Sequence, residues 1–214
     1  MNAEKILELR RLYWERMCGM LYLEPKVIQH KAIYRPTNQN LVQVERDIQH
    51  CQLCLLGKSQ KQNVGFYGQN LKVAFVSETP FTPHSHSSSL ITRSGEMLHN
   101  MIENVLLLKR DEIALLSVLK CTPNLGDTNL QEPTECCRPY LYQQLMLLSP
   151  HVIVLLGDNV GQFFFMEDMQ NMRGKKQIWE GMNVVLTYSP KFLLKNPSFK
   201  KDAMRDLLFI KNLL

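Results

Sequence analysis

Three apolar runs in the middle of the chain have the length and composition of buried β-strands. They cover residues 72–76, 113–119 and 152–157, and aliphatic side chains predominate in them. A short apolar run without polar alternation is typical of a strand that is covered on both faces. A fourth run, residues 182–187, is half polar, and we predict that it lies nearer the edge of a sheet.

Helical patterns separate these strands, at residues 94–108, 133–148 and 158–169. Strands that alternate with helices predict an α/β fold with right-handed crossovers. We therefore expect a three-layer αβα sandwich around a central, mostly parallel four-stranded sheet. In such folds, ligands bind beyond the carboxyl ends of the strands. The loops at those ends begin at Ser77, Lys120, Gly157 and Tyr188.

Residues 1–40 are predicted to be a helical extension and connector, and residues 41–214 to form the main domain. Asn2 is a suitable N-cap for a helix over residues 2–23, which has apolar residues at helical spacing. This helix would pack on the core or offer a surface to a protein partner. After a polar connector, a helix at 41–50 leads to Cys51.

Composition and charge narrow the functional class. Hydrophobic residues make up 45% of the chain and charged residues 21%, as in soluble globular proteins. The sequence has no apolar run of about 18 residues and no signal peptide, so we expect a cytoplasmic protein without a membrane partner. The net charge is +5, and residues 171–214 alone carry nine basic and three acidic residues. Such a basic segment is either a solvated helix face or a footprint for a polyanion such as DNA.

Four of the six cysteines have a spacing that suggests a metal centre. Cys51 and Cys54 form a C-x2-C pair, and Cys121 and Cys137 follow after long gaps. The two-residue gap lets both sulfurs of a turn face one centre, and soft thiolate ligands favour zinc or an iron–sulfur cluster. The alternative is that these are ordinary buried or free cysteines, because a second C-x2-C pair is missing.

From residue 47 onward the chain resembles the iron–sulfur uracil-DNA glycosylases, the thermophile-type or family 4-like branch of that superfamily. The motifs are the C-x2-C pair, Glu-Thr-Pro at 78–80, Val-Leu-Lys-Cys at 118–121, Cys-Arg-Pro-Tyr-Leu at 137–141, and residues 150–157, 172–174 and 187–197. The resemblance implies a uracil-DNA glycosylase-like fold. It also implies a [4Fe-4S] cluster bound by Cys51, Cys54, Cys121 and Cys137. Zinc is the lesser alternative, and the neighbouring Cys136 is a substitute for Cys137.

The resemblance implies base excision repair, in which the N-glycosidic bond of uracil or another deaminated base in DNA is hydrolysed. Such enzymes flip the base into a pocket. In this chain the expected base pocket comprises Pro80, Phe81 and Leu90. Phosphate contacts are expected from Arg173, Lys175, Lys176, Lys191, Lys195, Lys200 and Lys201. Phe192 and Leu193 resemble the apolar wedge that enters the duplex.

Several pocket residues depart from the family pattern. Ser117 stands where the family has the uracil-pairing Asn, Ser189 where it has a His near the leaving oxygen, and Leu90 where it has a stacking Phe. Glu78 stands where a family acid stands, and its carboxylate would orient water or cap the next turn. His84 and His86 are either substitutes for the missing imidazole or residues of a solvated loop.

Three functions remain open at this stage. The first is an active but altered glycosylase with Glu78, Ser117, Ser189, His84 and His86 as candidate catalytic residues. The second is a homologue that binds DNA, or a protein partner, without excising a base. The third is a redox or interaction protein in which the cluster itself is functional.

Overall fold

The computed structural model describes residues 40–59, 62–81, 92–124, 126, 129–165 and 169–214. Residues 1–39, which carry the predicted N-terminal helix and connector, lie outside the described part, and the predicted domain boundary after residue 40 stays a prediction. Within the described chain, the strands form one six-stranded sheet with the order β1-β3-β2-β4-β6-β5. The strands are β1 (Phe66–Tyr67), β2 (Val73–Ser77), β3 (Ile113–Ser117), β4 (Val152–Leu156), β5 (Lys176–Trp179) and β6 (Met182–Thr187).

The four central strands are the predicted ones, and they are parallel. β2 pairs with β3 and β4, and β4 pairs with β6. The prediction of a four-stranded sheet is wrong in the strand count, because β1 and β5 add antiparallel edges. β1 is only two residues long, and the residues of β5 alternate between exposed and half-buried. Neither has the apolar run by which the central strands were identified.

Helices connect the strands. They are α1 (Leu41–Gln49), α2 (Leu55–Ser59), α3 (Arg93–Asn100), α4 (Gln131–Leu148), α5 (Asp158–Phe165), α6 (Met169–Met172), α7 (Pro190–Lys195) and α8 (Lys200–Lys211). The helix predicted at 94–108 is divided, because a π-helical turn, Met101–Leu106, follows α3. The strand predicted to reach residue 119 ends at Ser117, whose hydroxyl donates to the Leu119 carbonyl at 2.7 Å. This local side-chain bond competes with continued strand pairing.

The two faces of the sheet have separate apolar cores. Alternate residues of β2 divide between them, with Val73 and Phe75 on one side and Ala74 and Val76 on the other, as the period of a strand requires. The first core includes residues of α3, the π-helical turn, α7 and α8. The second includes residues of α4, α5 and α6. The predicted α/β sandwich with helices on both faces is therefore confirmed.

In the part of the chain that the structure describes, none of the helices combines the length and apolar character that crossing a membrane requires.

Candidate active site and cysteine cluster

A cavity of about 1190 Å³ opens at the carboxyl ends of the parallel strands. The loops that follow β2, β4 and β6 contribute to its lining, as the topology of an open parallel sheet predicts. Helix α3 and the segment around α7 complete the described wall. The lining residues used below are Glu78, Pro80, Phe81, Arg93, Asn159, Arg173, Tyr188, Ser189, Lys191, Phe192, Lys195 and Phe199.

Glu78 presents an exposed carboxylate at this cavity, one residue after β2. Its Oε1 atom accepts a hydrogen bond from Nδ2 of Asn159 at 2.7 Å. Asn159 lies in the first turn of α5, so two neighbouring strand ends hold the carboxylate in one orientation. Sequence reasoning missed Asn159, because nothing local pairs it with a residue 81 positions earlier.

The two serines that were predicted to stand in place of family residues have engaged hydroxyls. Ser189 lines the cavity, but it is also the N-cap of α7, and its Oγ accepts from the Phe192 amide at 3.2 Å. Gly157 has φ 103°, and a Cβ there would lie 3.2 Å from Cβ of Ser189. Ser117 is 1% exposed and is not among the lining residues.

The predicted base pocket is only partly described. Pro80 and Phe81 line the cavity, and Phe81 also packs against the first core. Leu90, His84 and His86 lie outside the described residues, so their predicted roles stay predictions.

Arg173 forms an intramolecular ion pair at the cavity wall. One guanidinium nitrogen lies 2.9 Å from both carboxylate oxygens of Asp206, which is buried in α8. The hydroxyl of Thr187 donates to the same carboxylate at 2.8 Å. Burial raises the pKa of the Asp206 carboxyl, although the bonds from Thr187 and Arg173 oppose this shift. Arg173 lines the cavity with its charge already paired to Asp206, and its phosphate contact stays a prediction.

An aromatic cluster of Tyr188, Phe192 and Phe199 forms part of the wall. The rings of Tyr188 and Phe192 are stacked, with centroids 5.1 Å apart and planes 10° apart. Phe199 contacts both rings, at 5.2 and 5.3 Å. The Arg173 guanidinium lies over the Tyr188 ring at 4.8 Å. The sequence pattern indicated Phe192 but did not connect it with Tyr188 or Phe199.

The predicted DNA-contacting residues fall into three groups. Lys191 and Lys195 are exposed and line the cavity. Leu193 is 1% exposed and belongs to the first core, so the prediction that it enters the duplex is wrong. Helical spacing places Leu193 on the buried side of α7 with Pro190, three residues earlier, and leaves Phe192 and Leu194 exposed. Lys175, Lys176, Lys200 and Lys201 are exposed but lie outside the cavity lining.

The four cysteines of the predicted quartet belong to segments that are distant in sequence, and the fold brings them into one region. Cys54 and Cys121 share a small buried cluster, against which Cys136 packs. Gln62 donates to the carbonyls of Cys51 and Gly57, at 3.0 and 2.7 Å, and so folds α2 back on Cys51. Burial and the nearby Cys51 thiol raise the pKa of Tyr140, which lies one turn after Cys137.

The electrostatics of this region reflect the crowding of thiols. Burial, with the nearby Cys137, Cys54 and Cys51, raises the pKa of Cys121 to about 12. Burial also raises the pKa of Cys137, which the Lys120 amide opposes through a hydrogen bond to Sγ at 3.5 Å. These shifts favour the neutral thiols of Cys121 and Cys137, so a metal centre held there would bind with release of their protons. Soft sulfur donors of this kind suit zinc or an iron–sulfur cluster.

Lys120 is also buried beside these thiols, 2% exposed, and burial lowers the pKa of its amino group to about 7. Its Nζ atom donates to the Ser117 carbonyl and to Oε1 of Gln144, each at 2.7 Å. Among the described residues, no group of three His, Cys, Asp or Glu side chains is placed to hold a single metal ion.

Comparison with known proteins agrees with this architecture. A family model described as "Uracil DNA glycosylase superfamily" matches residues 64–209. The type-4 uracil-DNA glycosylase of Saccharolobus solfataricus is 28% identical over 187 residues, which is 82% of this chain and 87% of the relative. The type-4 uracil-DNA glycosylase of Archaeoglobus fulgidus is 27% identical over 78% of this chain and 90% of its own length.

The type-4 uracil-DNA glycosylase of Sulfurisphaera tokodaii is 26% identical, over 81% of this chain and 84% of the relative. Residues 64–209, which the family model matches, contain the sheet, the described cavity wall and two of the four clustered cysteines, Cys121 and Cys137. The resemblance seen in the sequence is confirmed, and the chain belongs to the uracil DNA glycosylase superfamily.

Proposed function

We propose that this protein is a DNA glycosylase that hydrolyses the N-glycosidic bond of uracil or another deaminated base. The observation that carries the proposal is the Glu78 carboxylate, held by Asn159 at a cavity at the strand ends. The relatives, named type-4 uracil-DNA glycosylases, support the same reaction class. A cavity of this kind accommodates a base that has been extruded from the stack.

In the proposed reaction, water attacks C1′ of the deoxyribose, and the bond to the base breaks with its electron pair leaving on the base. Glu78 orients the water and favours its deprotonation through its negative charge. Asn159 keeps the carboxylate aimed at the cavity through its 2.7 Å hydrogen bond. The departing base then takes up a proton, and an abasic site remains.

A second candidate function is DNA binding without excision. It is favoured by the two serine hydroxyls, because Ser189 caps α7 and Ser117 donates to the Leu119 carbonyl. A hydroxyl engaged in this way is a poor replacement for an amide or an imidazole. Loss of one donor at a developing oxyanion typically lowers the rate by about 10²- to 10³-fold.

We also propose that Cys51, Cys54, Cys121 and Cys137 hold a [4Fe-4S] cluster. The support is their convergence, with three of the four buried, and the Lys120 amide directed at Cys137 Sγ. A tetrahedral zinc needs all its sulfurs about 2.3 Å from one ion, whereas in a cluster each cysteine binds a different iron, so metal analysis of the purified protein distinguishes the two centres. Such a cluster would tie the C-x2-C turn to β3 and α4.

Excision is tested directly with oligonucleotides that carry uracil, hypoxanthine or xanthine, in duplex and single-stranded form. The iron-loaded protein is incubated with each, and abasic sites are then cleaved with alkali. We expect strand cleavage on at least one deaminated base and none on the normal sequence. Binding that is sensitive to salt, without cleavage of any substrate, would favour the second candidate function.

The two cavity lysines are expected to contribute phosphate contacts. Replacing both Lys191 and Lys195 with alanine should weaken binding to all DNA sequences and reduce the salt slope, d log K/d log [salt], by up to about 2. The measurement is a titration of labelled DNA at several salt concentrations. Replacing Lys58 and Lys109, which are exposed outside the basic segment, removes the same charge and is the matched control. Equal slopes for the two double variants would contradict a phosphate site at the cavity.

A further inference from the structure

Two aromatic rings at the cavity are open to solvent. Phe192 and Phe199 are each 37% exposed, and both line the cavity. Their centroids lie 5.3 Å apart, with planes inclined by 59°. Water solvates exposed aromatic rings poorly, so two such rings side by side in a concave site indicate a surface for a flat apolar ligand.

The rings are held in place by two partly buried groups, Tyr188 and Arg173, and by the buried Asp206. Tyr188 stacks on Phe192 and contacts the edge of Phe199. The guanidinium of Arg173 lies over Tyr188, and Asp206 holds that guanidinium. A surface ordered before binding loses little conformational entropy when a ligand arrives.

The charge around the rings identifies the class of ligand. Lys191 and Lys195 lie on the same helix as Phe192, one before it and three after it, and both line the cavity. Aromatic rings flanked by cations are the combination that binds unpaired nucleic acid, with bases on the rings and phosphates near the ammonium groups. An acidic peptide would use the lysines but would leave the rings unpaired.

Most aromatic rings of the described cavity wall lie in one segment. Tyr188, Phe192 and Phe199 follow β6, whereas among the described residues only Phe81 follows β2. We propose that Phe192 and Phe199 form the stacking surface for an unpaired nucleobase, an inference that rests on the proposed binding of DNA.

This role differs from that of an apolar wedge. A wedge acts through apolar bulk, which a leucine supplies as well as a phenylalanine. A stacking surface requires the π-face of a ring. Leucine at these positions therefore separates the two roles, and tyrosine is the conservative replacement that keeps the ring.

The experiment compares the double variants F192L/F199L and F192Y/F199Y with the unaltered protein. Affinity is measured by fluorescence anisotropy for two single strands, one with a central uracil and one with a tetrahydrofuran abasic analogue there. We expect the leucine variant to bind the uracil strand about 5- to 100-fold more weakly, and the abasic strand less than about twofold more weakly. The tyrosine variant should bind both strands like the unaltered protein.

Equal losses of the leucine variant on both strands, or no loss on either, would overturn the stacking role. Excision measured on the same uracil strand separates this inference from the proposed reaction. A base-dependent loss of binding without any excision by the unaltered protein supports stacking and contradicts the glycosylase function. Failure of the unaltered protein to bind either strand would overturn both.

Discussion

Replacing Cys137 with serine is expected to abolish cluster binding, whereas replacing the adjacent Cys136 is expected to leave it intact. Cys137 is buried, and its Sγ accepts from the Lys120 amide at 3.5 Å. Cys136 is half-buried, and its thiol is directed at the Leu53 carbonyl at 3.8 Å. We expect iron content to fall from about four atoms per chain to near zero in the Cys137 variant, with loss of the visible absorbance of sulfide-bridged iron.

The thermal stability of the Cys137 variant should fall together with its iron content, because a structural metal site contributes folding free energy. Each 1 kcal/mol lowers Tm by roughly 2–4 °C in a domain of this size, so we expect a decrease of about 10 °C or more. Metal analysis and thermal unfolding of both variants provide the measurement. Iron retained by the Cys137 variant and lost by the Cys136 variant would assign the fourth ligand to Cys136. Zinc in place of iron would contradict the cluster.

Replacing Glu78 with glutamine should lower the excision rate by about 10²- to 10⁴-fold, the range typical of a lost general base. Glutamine keeps the shape of the side chain, and its amide oxygen still accepts from Asn159, which now bonds Oε1 of Glu78 at 2.7 Å. Only the negative charge is lost, so the cavity should keep its form. Single-turnover excision kinetics on the best substrate measure the effect.

DNA affinity should be preserved or slightly increased in this variant, because a negative charge is removed from a site for a polyanion. Replacing Glu180 with glutamine is the matched control, since this residue is exposed at the turn between β5 and β6. A Glu78 variant with a rate within about threefold of the unaltered protein would end the role of this carboxylate in positioning water.

The sequence was sufficient for the central part of the fold, for a definite physical reason. Four aliphatic runs separated by helical segments leave few arrangements other than a parallel sheet covered on both faces. The edge strands were missed because their side chains are half exposed and carry no such pattern. The cap at Ser189 had a readable signal, because serine followed by proline is a common start of a helix.

The candidate site was predictable in position but not in its internal contacts. Strand ends located the cavity, whereas the partner of Glu78 lies 81 residues further along the chain. Asp206 occurs in a helix whose sequence is rich in charge, and only tertiary packing shows that it is 4% exposed and paired with Arg173. From the sequence, Leu193 was predicted to contact DNA together with Phe192. A helix of six residues is too short for its pattern of apolar residues to show which side is buried.

Gly174 has φ +65°, and a Cβ at this position would lie 2.6 Å from Oδ1 of Asp206. Even a methyl group would displace the Asp206 carboxylate, and its ion pair with the Arg173 guanidinium would be weakened. Arg173 in turn lies over the Tyr188 ring, so the orientation of this ring depends indirectly on the absence of a side chain at Gly174. An alanine at this position would strain the bend, because its φ is positive, and would also disturb the wall of the cavity through Asp206.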